Sequence, residues 1–112
     1  MGSHSYGRFA EFFVALVLRL LGYTILVTRY RTRLGEIDII AKRNGSLVAF
    51  EVKARKTGEL TTELVSRRQL SRIENAMNLF LAHNESYVDY NVSFGIILFR
   101  NIFNFRIFDR ID

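Results

Sequence analysis

The dipeptide Asn44-Gly45 constrains the fold of this chain more than any other feature. It separates two stretches in which apolar and polar residues alternate, and such a pair is the strongest short-range indication of a β-hairpin. Because a two-residue turn sets the register, the numbers of opposed residues sum to 89, as 44 and 45 do. The sequence therefore predicts a hairpin over residues 35–55 with a defined set of opposed pairs.

One face of this hairpin concentrates charge. In the predicted register Asp38 is opposite Glu51 and Glu36 is opposite Lys53, all on the same side of the sheet. Opposed side chains have Cβ atoms about 4.5–5.5 Å apart, so the facing acids repel each other unless a bound divalent cation or Lys53 neutralises them. The other face is predicted to point to the core, through Ile37, Ile39, Ala41, Val48, Phe50 and Val52.

Two interpretations of the charged face are open. It is either a solvated ion cluster around Lys53, which adds little to stability, or a covered site. Ile40 and Ala49 share this face and favour covering, and arginines surround the hairpin in the sequence. Glu11 is the only acid in an otherwise apolar helix, although the helix dipole also explains an acid in a first turn. Together these features favour a pocket in which a metal ion lies beside a scissile phosphate.

The composition limits which metal could bind. The 112 residues are 49% hydrophobic and 24% charged, which is typical of one globular domain spanning residues 1–112. There is no cysteine, and two histidines alone cannot form a zinc site. A metal would therefore need oxygen ligands, which are those preferred by Mg²⁺, Mn²⁺ or Ca²⁺.

The positive charge is unevenly distributed. The net charge is +5, and residues 29–72 hold eleven of the sixteen Lys and Arg but five of the eleven acids. Such a distribution suits a polyanion such as DNA or RNA. A solvated basic face is equally compatible with charge alone.

Hydrophobic periodicity predicts the remaining elements. Helices are expected over residues 9–21 and 63–83, further strands over 24–30, 92–99 and 102–111, a loop over 58–62 and a turn near Arg100-Asn101. The order α-β-β-β-α-β-β predicts an α/β fold with a mixed sheet flanked by helices.

The chain is expected to be cytoplasmic, without membrane contact. Its longest apolar run, residues 12–18, is too short to span a bilayer, and no small-x-small cleavage site follows it. The opening residues 1–4 read as a cloning remnant, so His4 is given no role.

Asp38, Glu51-Val52-Lys53 and the upstream Glu11 resemble the active-site pattern of the PD-(D/E)XK nuclease superfamily. More narrowly, "GRFAEFF", "LLGYTIL", "RYRTRLGEIDIIA" and "LVAFEVKAR" resemble small bacterial UPF0102-type predicted nucleases, which are similar to archaeal Holliday-junction resolvases. The resemblance is close over residues 7–55 and looser to about residue 99. It implies a restriction-endonuclease-like core and a Mg²⁺- or Mn²⁺-dependent endonuclease, acting on structured or branched nucleic acid, with DNA favoured over RNA.

The resemblance also implies a role for each matching position. Asp38 and Glu51 would hold the metal, helped by the backbone carbonyl of Val52. Lys53 would orient or deprotonate the attacking water and offset charge at phosphorus. Glu11 would contact the metal through water or help to position a second ion.

Further residues receive weaker assignments. Glu36, opposite Lys53, would support the ligands without contacting the metal. Gln69 matches a position where the superfamily often has a polar residue near the site, although a solvent-facing helical glutamine is an equal alternative. Backbone phosphates would be bound by arginines, chiefly Arg31 and Arg33, with Arg55 and Arg68 as weaker candidates.

The chain departs from the superfamily pattern at one position, where the relatives resembled here also carry Ile, and from the expected family residues at two. Ile37 replaces the proline of the superfamily name, Arg29 occupies a position where asparagine is expected, and Gln69 one where lysine is commoner. The last two departures put substrate contacts in doubt rather than the metal site.

Other function classes remain open. The fold could serve as a nucleic-acid-binding or scaffolding module without chemistry. Alternating aromatics near the chain end could instead form an edge for protein contacts, although such residues are more often core: Phe99, Phe103, Phe105 and Phe108. Because the resolvase relatives act as dimers, a homodimer is also left open.

Overall fold

A computed structural model describes residues 3–111, with side chains from residue 5 onward. The opening tetrapeptide, including His4, to which no role was given, lies outside the described side chains. The elements are α1 (Ser3–Leu20), β1 (Thr24–Arg31), β2 (Glu36–Arg43), β3 (Ser46–Ala54), α2 (Arg67–His83), β4 (Asn91–Asn101) and β5 (Asn104–Phe108). Short 3₁₀ turns precede and follow α2, at Thr62–Leu64 and Glu85–Tyr87. The predicted α/β class and element order are confirmed.

The five strands form one mixed sheet in the order β1-β2-β3-β4-β5. Neighbouring strands are antiparallel except β3 and β4, which are parallel. A parallel pair needs a crossover connection, and the segment containing α2 provides it. The N-terminal end of α2 consequently follows the C-terminal end of β3 in the chain.

Local signals explain where both helices end or begin. α1 ends as predicted at Gly22, whose φ of +96° permits the paired bonds from Gly22 N to Arg19 O and from Tyr23 N to Leu18 O. α2 begins later than predicted because Ser66 is its N-cap: the side chain accepts a hydrogen bond from Gln69 N at 3.1 Å.

The turn between β4 and β5 lies two residues later than predicted. β4 continues to Asn101, which pairs with Asn104, so Ile102 belongs to the turn rather than to a strand. The Asn101 side chain accepts a hydrogen bond from Phe103 N at 2.9 Å, and this local bond stabilises the turn.

Each helix covers one face of the sheet and forms a separate core. The core between α1 and the sheet is formed by Ala10, Val14, Ala15, Leu18, Tyr23, Ile39, Ala41, Val48, Phe50, Ile97 and Phe99. The core between α2 and the sheet is formed by Ile37, Ile40, Leu47, Ala49, Ile73, Ala76, Met77 and Phe80. The placement of Ile37 with Ile39 was therefore wrong. Strict alternation fails between these two residues, so Ile37 joins Ile40 on the α2 face.

The aromatic residues near the chain end do not form one exposed edge. Phe99 is fully buried and contacts Phe13, whereas Phe105 is half-buried against the same ring. Phe103, in the turn, is 91% exposed. Neither α1 nor α2, the helices within residues 3–111, has the length and hydrophobicity that crossing a bilayer requires.

Candidate active site

The predicted hairpin register is confirmed near the turn, but the two strands part farther from it. The β2–β3 ladder runs from Arg43–Ser46 to Ile39–Phe50 and ends there. β2 stays paired with β1 as far as Glu36, and β3 stays paired with β4 as far as Ala54. An opening therefore lies between β2 and β3 just beyond the last pair. We call this opening, flanked by Asp38 and Glu51, the fork.

Asp38 occupies the fork from the β2 side and is only 8% exposed. Its Oδ2 accepts a hydrogen bond from Val52 N at 2.8 Å, and its Oδ1 lies 3.7 Å from a guanidinium nitrogen of Arg31. The carboxylate thus replaces the main-chain acceptor that a continued ladder would supply. Since N–H and C=O of one strand residue point to the same side, the Val52 carbonyl also faces the fork.

Glu51 enters the same opening from β3 and is 7% exposed. Its Oε2 accepts a hydrogen bond from the side-chain amide of Gln69 and lies 3.2 Å from Lys53 Nζ. The alternative in which Gln69 faces solvent is therefore wrong, because the first turn of α2 brings this side chain onto the carboxylate. The predicted covering of the charged face is confirmed as well, since Ile40 and Ala49 are fully buried beneath α2.

The two carboxyl groups interact directly. The pKa of Glu51 is raised to about 8, chiefly by burial and also by a hydrogen bond with Asp38 and the charge of Asp38, whereas Lys53 acts in the opposite direction. The Glu51 carboxylate therefore costs free energy near neutral pH unless a proton or a cation accompanies it.

Glu11 approaches this pair from α1. Burial and the charge of Asp38 raise its pKa, while Arg29, Arg31 and Arg8 lower it. Glu11 lies eight residues after the start of α1 at Ser3, so it is not in the first turn. The helix-dipole explanation for this acid is consequently wrong, because that effect falls off within one turn.

Glu36 does not pair with Lys53 as predicted. Its carboxylate lies 3.0 Å from the guanidinium of Arg72 on α2, and the two side chains are 49% and 41% exposed. The strands have already parted at this level, so the predicted cross-strand pair does not form. Glu36 therefore joins α2 to the β2 end of the fork rather than supporting Lys53.

The four predicted phosphate-binding arginines lie at the same end of the sheet as the fork. Arg31 is at the end of β1 and is near Asp38, Arg33 follows in the β1–β2 turn, and Arg55 follows β3. Arg68 is in the first turn of α2. All four are exposed to solvent. The topology thus places side chains from four segments around one opening.

Arg29 has a backbone conformation that the sequence did not predict. Its φ is +54° although it lies within β1. Asparagine adopts positive φ more readily than arginine, which gives a conformational reason for the asparagine expected at this position. Half-buried beside Glu11, Arg29 instead adds a cation to the acidic cluster.

The donor set suits a hard divalent cation. Within residues 3–111, no group of three or more His, Cys, Asp or Glu side chains is arranged to hold a metal. The available donors are two adjacent buried carboxylates and the main-chain carbonyl of Val52. Such oxygen donors fit Mg²⁺ or Mn²⁺, with water completing the coordination.

A cavity lies at the opposite end of the sheet. It has a volume of about 630 Å³ and is bordered by the β2–β3 turn and the segment after β5. Its Arg43 is already engaged: the guanidinium lies 4.1 Å from the Tyr23 ring centroid and donates to Leu21 O at 2.8 Å. The carboxylates, the lysine and the glutamine are all at the fork, which we therefore take as the candidate site.

Comparison with known proteins places the chain in a family. Residues 10–107 match the group described as "Uncharacterised protein family UPF0102". A UPF0102 protein of Agrobacterium fabrum is 41% identical over 91 residues, which cover 81% of this chain and 75% of the relative. A UPF0102 protein of Parvibaculum lavamentivorans is 34% identical over 98 residues, or 88% of this chain and 74% of the relative. The chain belongs to the UPF0102 family.

Proposed function

We propose that this protein is a Mg²⁺- or Mn²⁺-dependent endonuclease of the PD-(D/E)XK superfamily that hydrolyses phosphodiester bonds in structured or branched DNA in the cytoplasm. The observation that carries this proposal is the fork, where Asp38 and Glu51 are buried side by side with Lys53 against them. Two adjacent buried acids are unfavourable in themselves, and a divalent cation between them removes the penalty. The function thus explains an arrangement that stability alone does not.

The residues at the fork would divide the metal-binding work. Asp38, Glu51 and the Val52 carbonyl would hold the ion, and Glu11 would reach it through water from α1. A bound ion of this class polarises a phosphoryl oxygen and makes hydroxide available from water at neutral pH. Gln69 holds Oε2 of Glu51 from α2 and thereby limits rotation of the carboxylate.

Lys53 contributes a fixed positive charge next to the reacting phosphate. Its Nζ lies 3.2 Å from Glu51 Oε2, and its side chain is only 15% exposed. A cation held in place before the reaction can orient the attacking water and offset the negative charge that develops at phosphorus. Arg31, Arg33, Arg55 and Arg68 would bind the flanking phosphates from the surrounding segments.

A second candidate function is supported by the ion pairs at the fork. Arg31 lies near Asp38 and Lys53 near Glu51, so side chains partly neutralise both acids. The protein would then be a nucleic-acid-binding module without chemistry. Its binding would depend on salt but would be indifferent to divalent metal and to Lys53→Ala.

One experiment separates the two functions. Wild-type protein and Glu51→Gln are incubated with labelled duplex, single-stranded, flap and four-way DNA, with Mn²⁺ and with chelator. The nuclease proposal expects cleavage only by the wild type with Mn²⁺, together with Mn²⁺ binding in calorimetry that the variant loses. Equal cleavage by both proteins would indicate a contaminant. Absence of Mn²⁺ affinity in the wild type would exclude the nuclease and leave the binding module.

A further inference from the structure

The loop that follows β3 is fixed by an arginine that the sequence did not single out. Arg100, in β4, donates from one guanidinium nitrogen to Arg55 O at 3.2 Å and from the other to Gly58 O at 2.7 Å. Gly58 has φ +85°, which a residue with a side chain adopts only with strain. We call residues 55–58 the 55–58 loop. Arg100 clamps both of its ends.

α1 completes this arrangement from the other side. The Tyr6 hydroxyl donates a hydrogen bond to the carbonyl of Arg100, and Lys56 Nζ lies 5.1 Å from the centroid of the Tyr6 ring. A cavity of about 410 Å³ lies among these groups, lined by Tyr6, Ala54, Arg55, Lys56 and Thr57. The cavity therefore has walls from the helix and from the loop.

The charges around this cavity are arranged for an anion. Arg100 directs its guanidinium at main-chain carbonyls, whereas Arg55 and Lys56 are exposed. Arg55 donates one hydrogen bond to Ala54 O at 2.8 Å, which occupies one of its five N–H donors. Within the part of the chain that the structure describes, no acidic side chain lines the cavity. Phosphate is the anion that such a pair of cations suits.

The cavity lies beside the fork. Ala54 is three residues beyond Glu51 on β3, which is about 10 Å along a strand. Tyr6 is five residues before Glu11 on α1, which is about 7.5 Å along a helix. A nucleic-acid strand carries a phosphate every 3.4 Å of its axis. A strand with one phosphate at the fork therefore presents another within reach of the loop.

We propose that the 55–58 loop and Tyr6 form a second phosphate subsite, which binds the backbone of the same nucleic-acid strand a few nucleotides from the bond that is cut. Arg100 is the positioning residue that holds Arg55 and Lys56 in place. The identity of the ligand rests on the proposed function, whereas the clamp and the cavity do not. The subsite extends the nucleic-acid contact from the fork along β3 to the N-terminal part of α1.

Binding measured in chelator tests this subsite separately from cleavage. The full chain is titrated into a fluorescein-labelled DNA duplex over a range of KCl concentrations, and the slope of log affinity against log salt is compared among variants. Lys56→Gln is expected to make the slope shallower by about 0.9, the value of one phosphate contact. Arg100→Gln is expected to make it shallower still, because the released loop loses the phosphate contacts of both Arg55 and Lys56. Arg100→Lys is expected to restore part of the wild-type slope.

Arg106→Gln is the matched control, because it removes an exposed arginine from β5 at the edge of the sheet. It should leave the slope at the wild-type value. Equal slopes for wild type, Lys56→Gln and Arg100→Gln would overturn the subsite. If Arg100→Gln does not fold, Lys56→Gln and Arg55→Gln decide the question. Slope changes in a protein that never cleaves DNA would support the subsite and contradict the nuclease.

Discussion

The two ends of the β2–β3 hairpin are built in opposite ways. At the turn end, Asn44 and Gly45 adopt φ of +50° and +78°, and the ladder is continuous from Arg43–Ser46 onward. At the fork end the strands separate, and two acids lie where the next cross-strand pair would form. At the turn end the strands are therefore closed and their main-chain groups are hydrogen-bonded to each other. At the fork end the strands are open, and the burial of two neighbouring acids costs free energy.

The comparison shows that Asp38 has a structural as well as a chemical role. At the turn end main-chain groups satisfy one another, whereas at the fork the Val52 N–H depends on the Asp38 carboxylate. Removing that acceptor leaves a largely buried donor unpaired, which costs about 1–3 kcal/mol. Asp38→Ala is therefore a poor test of charge repulsion. Glu51→Gln removes the charge and keeps the shape of the side chain, so it is the better test of the repulsion between Asp38 and Glu51.

The largest expected difference between the two ends concerns catalysis. Lys53→Met, at the fork, should lower the single-turnover cleavage rate about a thousandfold, or ~4 kcal/mol of activation free energy, because a fixed charge beside the phosphate is lost. Lys42→Met is the matched control near the turn, where Lys42 lies 5.6 Å from the centroid of the Tyr87 ring. Rates that fall equally in both variants would show that the fork is not the reacting centre.

The next effect concerns packing and compares Gly35, at the fork end, with Gly7 in α1. A Cβ on Gly35 would overlap the carbonyl of Arg72 in α2 and lie 2.6 Å from its carbon, so Gly35→Ala should destabilise the protein by about 3 kcal/mol or more. Urea unfolding measures this difference. Gly7→Ala in α1 meets nothing within 4 Å and should stabilise by up to about 1 kcal/mol. A neutral Gly35→Ala would mean that α2 is not seated on the fork.

A third expectation concerns pH. The pKa of Glu51 is raised from 4.5 to about 8, so the folded protein retains a proton that the unfolded chain releases between these values. The retained proton on Glu51 therefore stabilises the folded protein fully below about pH 4.5, and this stabilisation is lost as the pH rises through 8. At 1.36 kcal/mol per pKa unit the loss is on the order of a few kcal/mol.

Urea unfolding in chelator at about pH 5 and about pH 9 measures this loss. Glu51→Gln should remove most of the decrease and be the more stable protein at the higher pH. A wild-type stability that is flat or rises over this interval would contradict the burial of an uncompensated acid at the fork.

The smallest expected effect is at the turn end. A Cβ on Gly45 meets nothing within 4 Å, but φ there is +78°. Gly45→Ala should therefore cost about 1 kcal/mol through backbone strain alone, measured by the same urea unfolding and without loss of DNA cleavage. If Gly45→Ala lowered the free energy of unfolding as much as Gly35→Ala does, the two ends of the hairpin would not differ in packing as proposed.

Several features of the site could be predicted because they depend on local chemistry. A two-residue turn sets its own register, so the approach of Asp38 to Glu51 followed from Asn44-Gly45. Ile40 and Ala49 on the charged face correctly indicated that it is covered, and the structure shows that α2 covers it. The predictions that Glu36 pairs with Lys53 and that Ile37 shares a face with Ile39 failed for one shared reason. Both assumed that the ladder and its alternation continue to the end of β2.

The sequence by itself determined the element order, the hairpin register near its turn, and the proximity of Asp38, Glu51 and Lys53. It could do so because turn geometry and side-chain alternation act over a few residues. Only the tertiary structure decided that the strands part at Asp38, that Gln69 reaches Glu51 from α2, and that Arg100 clamps the loop beyond β3. These contacts join segments distant in the chain. They depend on how two helices pack on opposite faces of one sheet, and no short-range pattern encodes that packing.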